Sequence, residues 1–116
     1  MTAEPDWHGG DFAALSARLQ AFALTRDWLR NHNPKNLGVS LAIEVGELLE
    51  HFQWLNDDQA SEVKRQPEKM AHVRSELADV LIYLMYLASA LDVDLLAAAQ
   101  EKMDVNERRF APKARE

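Results

Sequence analysis

Apolar side chains recur every three or four positions along most of the chain, and short polar stretches interrupt them. This spacing is typical of amphipathic helices, in which such residues share one face. No segment of the sequence shows the sustained alternation of apolar and polar residues that is typical of a strand. The pattern predicts long helices over residues 12–30, 36–54, 68–91 and from 92 or 94 to about 110, with a shorter helical piece over 59–65.

Residues at the predicted helix ends support these boundaries. Asp11 is suited to accept hydrogen bonds from the first turn of the first helix, and Asp92 or Asp94 from the first turn of the last. Pro34 ends the first helix, because the residue before a proline avoids the helical conformation. Pro67 suits a first helical turn, where its missing N–H is not needed. The sequence therefore predicts an all-α fold, in its simplest form a four-helix bundle with short connections.

The size and composition of the chain narrow its class. With 116 residues it has room for one domain, which we place at residues 12–112 between a flexible N-terminal segment, 1–11, and a C-terminal tail, 113–116. The formal charge of −6 argues against a nucleic acid polymer or an anionic membrane as a partner. We see no secretory signal, and the longest apolar run is shorter than the ~20 residues that span a bilayer. We therefore expect a cytoplasmic protein.

One predicted helix is too apolar for a chain that acts alone. The segment LIYLMYLASAL is apolar nearly all round the helix, which is typical of a central helix that is packed on several sides. Four helices of this length bury a limited core in so short a chain, and long amphipathic helices often complete their burial against another copy. We therefore predict that the bundle is completed by assembly into a homo-oligomer.

Two pairs of carboxylates have apolar surroundings. Glu44 and Glu47 lie in LAIEVGELLEHF, and Glu76 and Asp79 lie in ELADVLIYLMYL, each pair at spacing i, i+3 on one helix face. Such pairs usually lie on solvated faces. Because little else on these helices is polar, we predict that both faces point into the bundle, where clustered like charges need a proton, a partner or a metal. Ligation by carboxylate oxygens alone selects a hard cation such as Mg²⁺.

The polar residues near these pairs leave several interpretations open. His51 falls near the Glu44 face and His72 near the Glu76 face, as neighbours of a metal or as ordinary surface side chains. A di-iron bundle requires Glu-x-x-His on two helices, and no Glu of this sequence has His three residues later. Glu50 is either a solvated charge at a helix end or a further carboxylate of the site.

The last predicted helix and two tryptophans offer groups that bind phosphates and bases. Lys102, Asn106 and Arg109 form one stripe of hydrogen-bond donors at i, i+4 and i+7, which suits a triphosphate beside a metal. The alternative is a solvated helix face. Trp28 and Trp54 each lie at the end of a predicted helix and are able to stack on a nucleobase, although tryptophans at helix ends more often belong to a core or an interface.

Three segments follow one another along the chain: NPKNLGVSLAIEVGELLEHFQW, RSELADVLIYL and KMDVNERRFAP. Together they resemble the MazG-like all-α nucleoside triphosphate pyrophosphohydrolases, and within them the dCTP pyrophosphatase branch, over roughly residues 12–112. The resemblance implies hydrolysis of a nucleoside triphosphate to the monophosphate and pyrophosphate, a house-cleaning reaction supported by Mg²⁺, with Mn²⁺ as an alternative. It also implies a dimer or a dimer of dimers whose sites are completed between subunits.

The resemblance further implies roles for individual residues. The implied metal ligands are Glu44, Glu47, Glu76 and Asp79, and the implied substrate-binding residues are Trp28, Trp54, Tyr83, Lys102, Asn106 and Arg109. Ile43 stands where the broader family often has a glutamate, so Glu47 and Glu50 are the candidates for the catalytic proton acceptor. The alternatives are a dUTP-preferring or broad-specificity pyrophosphatase of the same fold, and a non-catalytic metal-binding helical oligomer.

Overall fold

Local capping signals determine where most of the helices begin. The computed structural model describes residues 11–114, so residues 1–10 of the predicted N-terminal segment and 115–116 of the predicted tail lie outside the described part. Within 11–114 the chain forms five α-helices and no strand: α1 (Phe12–Thr25), α2 (Pro34–Glu50), α3 (Asp57–Glu62), α4 (Pro67–Ala90) and α5 (Leu95–Arg109). Short 3₁₀ turns at Leu29–Asn31 and Val63–Arg65 follow α1 and α3. The all-α prediction is confirmed.

Four of these helices have a side-chain cap at their first turn. The side chain of Asp11 accepts a hydrogen bond from the backbone N–H of Ala14, and Asp94 caps α5 in the same way. Asn33 caps α2, which therefore begins two residues before the predicted start. Asn56 forms a reciprocal capping box with Gln59 at the start of α3. The N-terminal ends are thus set by short polar side chains that satisfy backbone N–H groups.

The predicted end of the first helix, at residue 30, is wrong. Asp27 adopts a left-handed conformation, with φ of 57°, and its N–H donates to the Leu24 carbonyl oxygen. The N–H of Trp28 reaches back to the Ala23 carbonyl oxygen at 2.9 Å. This pair of hydrogen bonds is a Schellman motif, which closes the helix at Thr25. Because aspartate tolerates the left-handed conformation, the motif forms without the glycine that usually occupies this position.

A second motif of the same kind ends α4. Asp92 has φ of 54°, its N–H donates to the Ser89 carbonyl oxygen, and the N–H of Val93 donates to the Ala88 carbonyl oxygen. The chain then turns by 98° into α5.

The predicted end of the second helix, at residue 54, is also wrong. α2 ends at Glu50, and the chain continues as tight turns before α3.

The core lies where three helices meet. Ala23 from α1, Leu37 from α2 and Tyr86 from α4 form its buried cluster. α2 and α4 form the most extensive helix pair, and α1 packs against α4. The Tyr86 hydroxyl donates to the Leu19 carbonyl oxygen at 2.7 Å and so joins α4 to α1.

α5 contributes little to this core. All of its side chains are exposed except Leu95 and Asn106, which are half-buried. Large apolar side chains are also exposed elsewhere, on α2 (Val39, Ile43, Val45, Leu49) and on α4 (Leu77, Leu81). Within residues 11–114 no single helix is long and apolar enough to cross a membrane; α4 and α5 together pass by length and composition, but the pair is bent by 98°.

Candidate functional site

Three of the predicted metal ligands converge between α2 and α4. Glu44 and Glu47 project from one face of α2, and Glu76 projects from the facing side of α4. One carboxylate oxygen of each residue lies within 4.8 Å of the others. The pairing of α2 with α4 is therefore what turns three separate acidic residues into one group.

Two oxygens of this group are buried without a partner. Oε2 of Glu44 and Oε2 of Glu76 are inaccessible to solvent and accept no hydrogen bond from any described residue. Both residues are half-buried, whereas Glu47 is exposed at the rim. A buried polar atom without a partner costs free energy, and a buried anion costs more. A hard divalent cation removes both costs, so the donor set and its burial fit Mg²⁺ or a similar ion.

The protonation of Glu44 reflects this crowding. Its pKa is raised to about 7, first by desolvation and then by the hydrogen bond and the charge that Glu47 presents to it. The charge of Asp79 and a hydrogen bond with Glu76 act in the same direction. Without a cation, the group therefore holds a proton at pH values where an ordinary glutamate is ionised.

The fourth predicted ligand, Asp79, lies one turn beyond Glu76 on α4 but is not part of the three-carboxylate group. It is half-buried and lines a neighbouring cavity of about 500 Å³ between α1 and α4. Asp79 thus joins the acidic group to the cavity, because its charge acts on Glu44 while its side chain faces the cavity. Its role as a ligand stays a prediction.

Aromatic side chains dominate this cavity. Trp28 and Tyr83, two of the predicted substrate-binding residues, line it together. A second cavity of about 320 Å³ shares Trp28, His32 and Tyr83 and extends towards α2. The Trp28 ring contacts the Phe22 ring edge-on, with centroids 5.3 Å apart. A cavity of this size and lining is typical of a small-molecule site.

Several cavity residues were not predicted from the sequence. They are Leu15, Arg18, Leu19, Phe22, His32, Ile82 and Tyr86. Those on α1 recur at i, i+3, i+4 and i+7, and Ile82 and Tyr86 lie one turn apart on α4, as ordinary core residues do. The sequence therefore carries no signal for these residues beyond amphipathicity. His32 lies two residues before Pro34, where the sequence predicts only the end of a helix.

Two histidines contact each other across α2 and α4, beside the acidic group. His51 lies one turn after Glu47, and His72 lies one turn before Glu76. Their rings stack with centroids 6.3 Å apart and planes inclined by 14°. The stacking shows that these two turns of α2 and α4 are neighbours; a role of either histidine beside a metal stays a prediction.

The remaining predicted site residues lie elsewhere in the single chain. Trp54 is 87% exposed and outside both cavities, and Glu50 is exposed at the last turn of α2. On α5, Lys102 and Arg109 are exposed and Asn106 is half-buried. Within residues 11–114 no ion pair joins the two cations to the three carboxylates. Their assignments to the site stay predictions.

Comparisons with known proteins bear on this arrangement. Residues 39–115 match the model of the MazG-like family. The chain is 48% identical over 94 residues to dCTP pyrophosphatase 1 of Rattus norvegicus and of Homo sapiens, which covers 80% of this chain. It spans 55% of the length of these curated relatives. A solved structure of a pyrophosphatase from Archaeoglobus fulgidus superposes with a TM-score of 0.78 at 37% identity, covering 97% of this chain and 100% of that one.

Proposed function

The chain belongs to the MazG-like family, and from this membership and its acidic group we propose that it is a nucleoside triphosphate pyrophosphohydrolase. The names of its relatives support dCTP as the substrate. We extend this proposal to related pyrimidine deoxynucleotides and to house-cleaning of the nucleotide pool as the role. In the reaction a water oxygen bonds to the α-phosphorus. The bond from the α-phosphorus to the bridging oxygen breaks, and its electron pair leaves with pyrophosphate.

The observation that carries this proposal is the group of Glu44, Glu47 and Glu76, with its two buried oxygens that lack partners. These three residues, with Asp79 beside them, would hold Mg²⁺. Bound there, the ion would neutralise phosphate charge and make the α-phosphorus more electrophilic. Glu47 is the exposed member of the group, and we propose that its carboxylate accepts the proton of the attacking water. Glu50 is the alternative acceptor.

The cavity orients the rest of the nucleotide. Asp79 lies at the wall nearest the acidic group, so the phosphates bind at that side. Trp28 and Tyr83 then offer aromatic surfaces for the base, and stacking on an aromatic ring contributes about 1–3 kcal/mol per base. The largely apolar lining excludes water from the base, while the carboxylate side stays polar.

We also propose that a second copy of the chain completes the site. α5 carries Lys102, Asn106 and Arg109 away from α4 at 98°, so these donors would act on the phosphates bound by a neighbouring chain. The exposed apolar side chains of α2, α4 and α5 would be covered in the same assembly. Analytical ultracentrifugation at micromolar concentration should give a dimer or tetramer. A monomer there would contradict this part of the proposal.

The test of the reaction uses dCTP with Mg²⁺ in water enriched in ¹⁸O. The expected products are dCMP and pyrophosphate, with the label in dCMP, because attack at the α-phosphorus places the new oxygen there. A panel of the other triphosphates distinguishes dCTP from dUTP or broad specificity by kcat/KM. Absence of pyrophosphate release from every nucleotide would favour the non-catalytic alternative.

Two variants on α4 link the activity to the acidic group. Glu76→Gln removes one buried carboxylate and should abolish turnover. Glu68→Gln makes the same change at an exposed position in the first turn of the same helix, and should retain it. An equal loss of turnover in both variants would show that the activity does not depend specifically on the three-carboxylate group.

A further inference from the structure

Tyr86 is a buried group that the proposed chemistry does not use. It is 4% exposed and is the one aromatic residue among the buried residues of the described chain. It lies on α4 one turn beyond Tyr83 and two turns beyond Asp79, so the three side chains follow the same face of the helix. Its position marks the far end of the row of α4 residues that face the cavity.

Two contacts hold the Tyr86 ring in place. Its hydroxyl donates to the Leu19 carbonyl oxygen of α1 at 2.7 Å, and the His32 ring packs against it with centroids 4.6 Å apart and planes inclined by 59°. Burial raises the pKa of Tyr86 and lowers the pKa of His32, so both side chains are neutral at pH 7. A buried ring whose hydroxyl has a fixed partner is a rigid wall.

This wall is part of the lining of the cavity that the proposed function assigns to the base. Leu19, His32 and Tyr86 all line it, together with Trp28 and Tyr83. Tyr86 lies seven positions after Asp79, which corresponds to about 10 Å along the helix axis. A nucleotide whose phosphates lie at Asp79 therefore extends its base past Tyr83 towards the phenol of Tyr86.

We propose that Tyr86 is a specificity-determining residue that sets the depth of this cavity and thereby restricts the enzyme to bases with one ring. The proposal rests on the proposed function, because it assumes that the cavity receives the base. A purine exceeds a pyrimidine by one fused ring, and the phenol of Tyr86 occupies a comparable space. The side chain selects substrates by exclusion and takes no part in the hydrolysis.

The kinetic test compares two substitutions of Tyr86. Tyr86→Leu opens the end of the cavity and should raise the ratio of kcat/KM for dATP to that for dCTP by about tenfold or more, chiefly by lowering KM for dATP. Tyr86→Phe keeps the ring and loses only the hydrogen bond to Leu19, so this ratio should stay within about twofold of the original. An unchanged ratio in a folded Tyr86→Leu variant overturns the proposal.

Met85→Ala is the matched control for loss of core packing. Met85 is also 4% exposed and adjoins Tyr86 on α4, but it lines a different cavity, near the start of α5. This variant should lower the melting temperature and leave the dATP-to-dCTP ratio unchanged. An equal shift of the ratio in Met85→Ala would show general loosening of the core and would overturn the assignment to Tyr86.

Nucleoside binding separates this inference from the proposed function. Deoxycytidine and deoxyadenosine lack phosphates, so their affinities, followed by the fluorescence of Trp28 and the other tryptophans, need neither metal nor turnover. Tyr86→Leu should bind deoxyadenosine more tightly than the original chain does, and equal affinity overturns the proposal even if the chain hydrolyses dCTP. If the chain hydrolyses no nucleotide, the proposed function fails. The comparison of nucleoside affinities still shows whether Tyr86 limits the size of the base that the cavity accepts. Tyr86→Met, which fills more of the core, serves if Tyr86→Leu does not unfold cooperatively.

Discussion

Binding of Mg²⁺ should depend on pH through one carboxyl group. The pKa of Glu44 is raised from 4.5 to about 7 in the folded, metal-free chain. A cation binds the ionised carboxylate, so below pH 7 it must displace a proton. For one competing proton at this pKa, the apparent Kd for Mg²⁺ should be about tenfold higher at about pH 6 than at about pH 8.

The raised pKa of Glu44 also determines how the free energy of unfolding changes with pH. Between pH 4.5 and about 7 the folded chain holds the Glu44 proton more tightly than the unfolded chain does. The free energy of unfolding of the metal-free protein therefore falls as the pH rises through this range. Saturating Mg²⁺ removes this loss, so the increase in melting temperature that Mg²⁺ produces should grow with pH.

Isothermal titration calorimetry checks the mechanism directly. Titrations with Mg²⁺ in two buffers of different ionisation enthalpy give the number of protons released, which we expect to be close to one near pH 6 and close to zero near pH 8. Glu44→Gln should abolish the pH dependence, and Glu68→Gln should preserve it. An apparent Kd that is the same at both pH values in the original chain would refute the reasoning.

Three further predictions follow from the contacts. Alanine at Glu47 or Asp79 should abolish pyrophosphate release while circular dichroism stays helical, because each change removes a carboxylate from a folded site. Tyr86→Phe should lower the free energy of unfolding in urea by about 1 kcal/mol, since the Leu19 carbonyl oxygen loses a buried donor. Asp92→Gly should raise the free energy of unfolding by about 0.5 kcal/mol, because glycine adopts the left-handed conformation of this residue without strain.

Each of these predictions has a contrary outcome. Retained turnover in either alanine variant would remove that carboxylate from the reaction. An unchanged urea midpoint in Tyr86→Phe would mean that the hydroxyl has an equally good partner in water. A lower melting temperature in Asp92→Gly would show that the aspartate side chain stabilises the turn by more than its backbone strain costs.

The sequence predicted the helix starts better than the helix ends. Caps such as Asp11 and Asp94 act within three residues, so their signal is local. The sequence predicts too long a first helix because the amphipathic pattern continues beyond Thr25, while the left-handed Asp27 that ends the helix has no periodic signal. A single residue in an uncommon conformation thus overrides a repeating pattern.

For the site, the sequence predicts the acidic group, and the resemblance supplies only Trp28 and Tyr83 among the residues that line the cavity. Glu44, Glu47 and Glu76 were identifiable because carboxylates among apolar neighbours violate ordinary patterning, and such violations indicate function. Leu19 and Tyr86 follow the pattern of a helical core, so their contribution to a cavity arises only when α1 packs against α4. Tertiary contacts decide which core residues face a cavity.

The chain bends by 98° between α4, which carries Glu76, and α5, which carries the hydrogen-bond donors Lys102, Asn106 and Arg109. If the donors of α5 serve a neighbouring chain, a subunit that lacks Glu76 and a subunit that lacks Lys102 complement each other. In a randomly mixed dimer, half of the assemblies pair one of each, and each of those has one intact site, which gives about a quarter of the original activity. Two chains that are inactive by themselves would then form an active enzyme together, and the smallest catalytic unit would be the dimer.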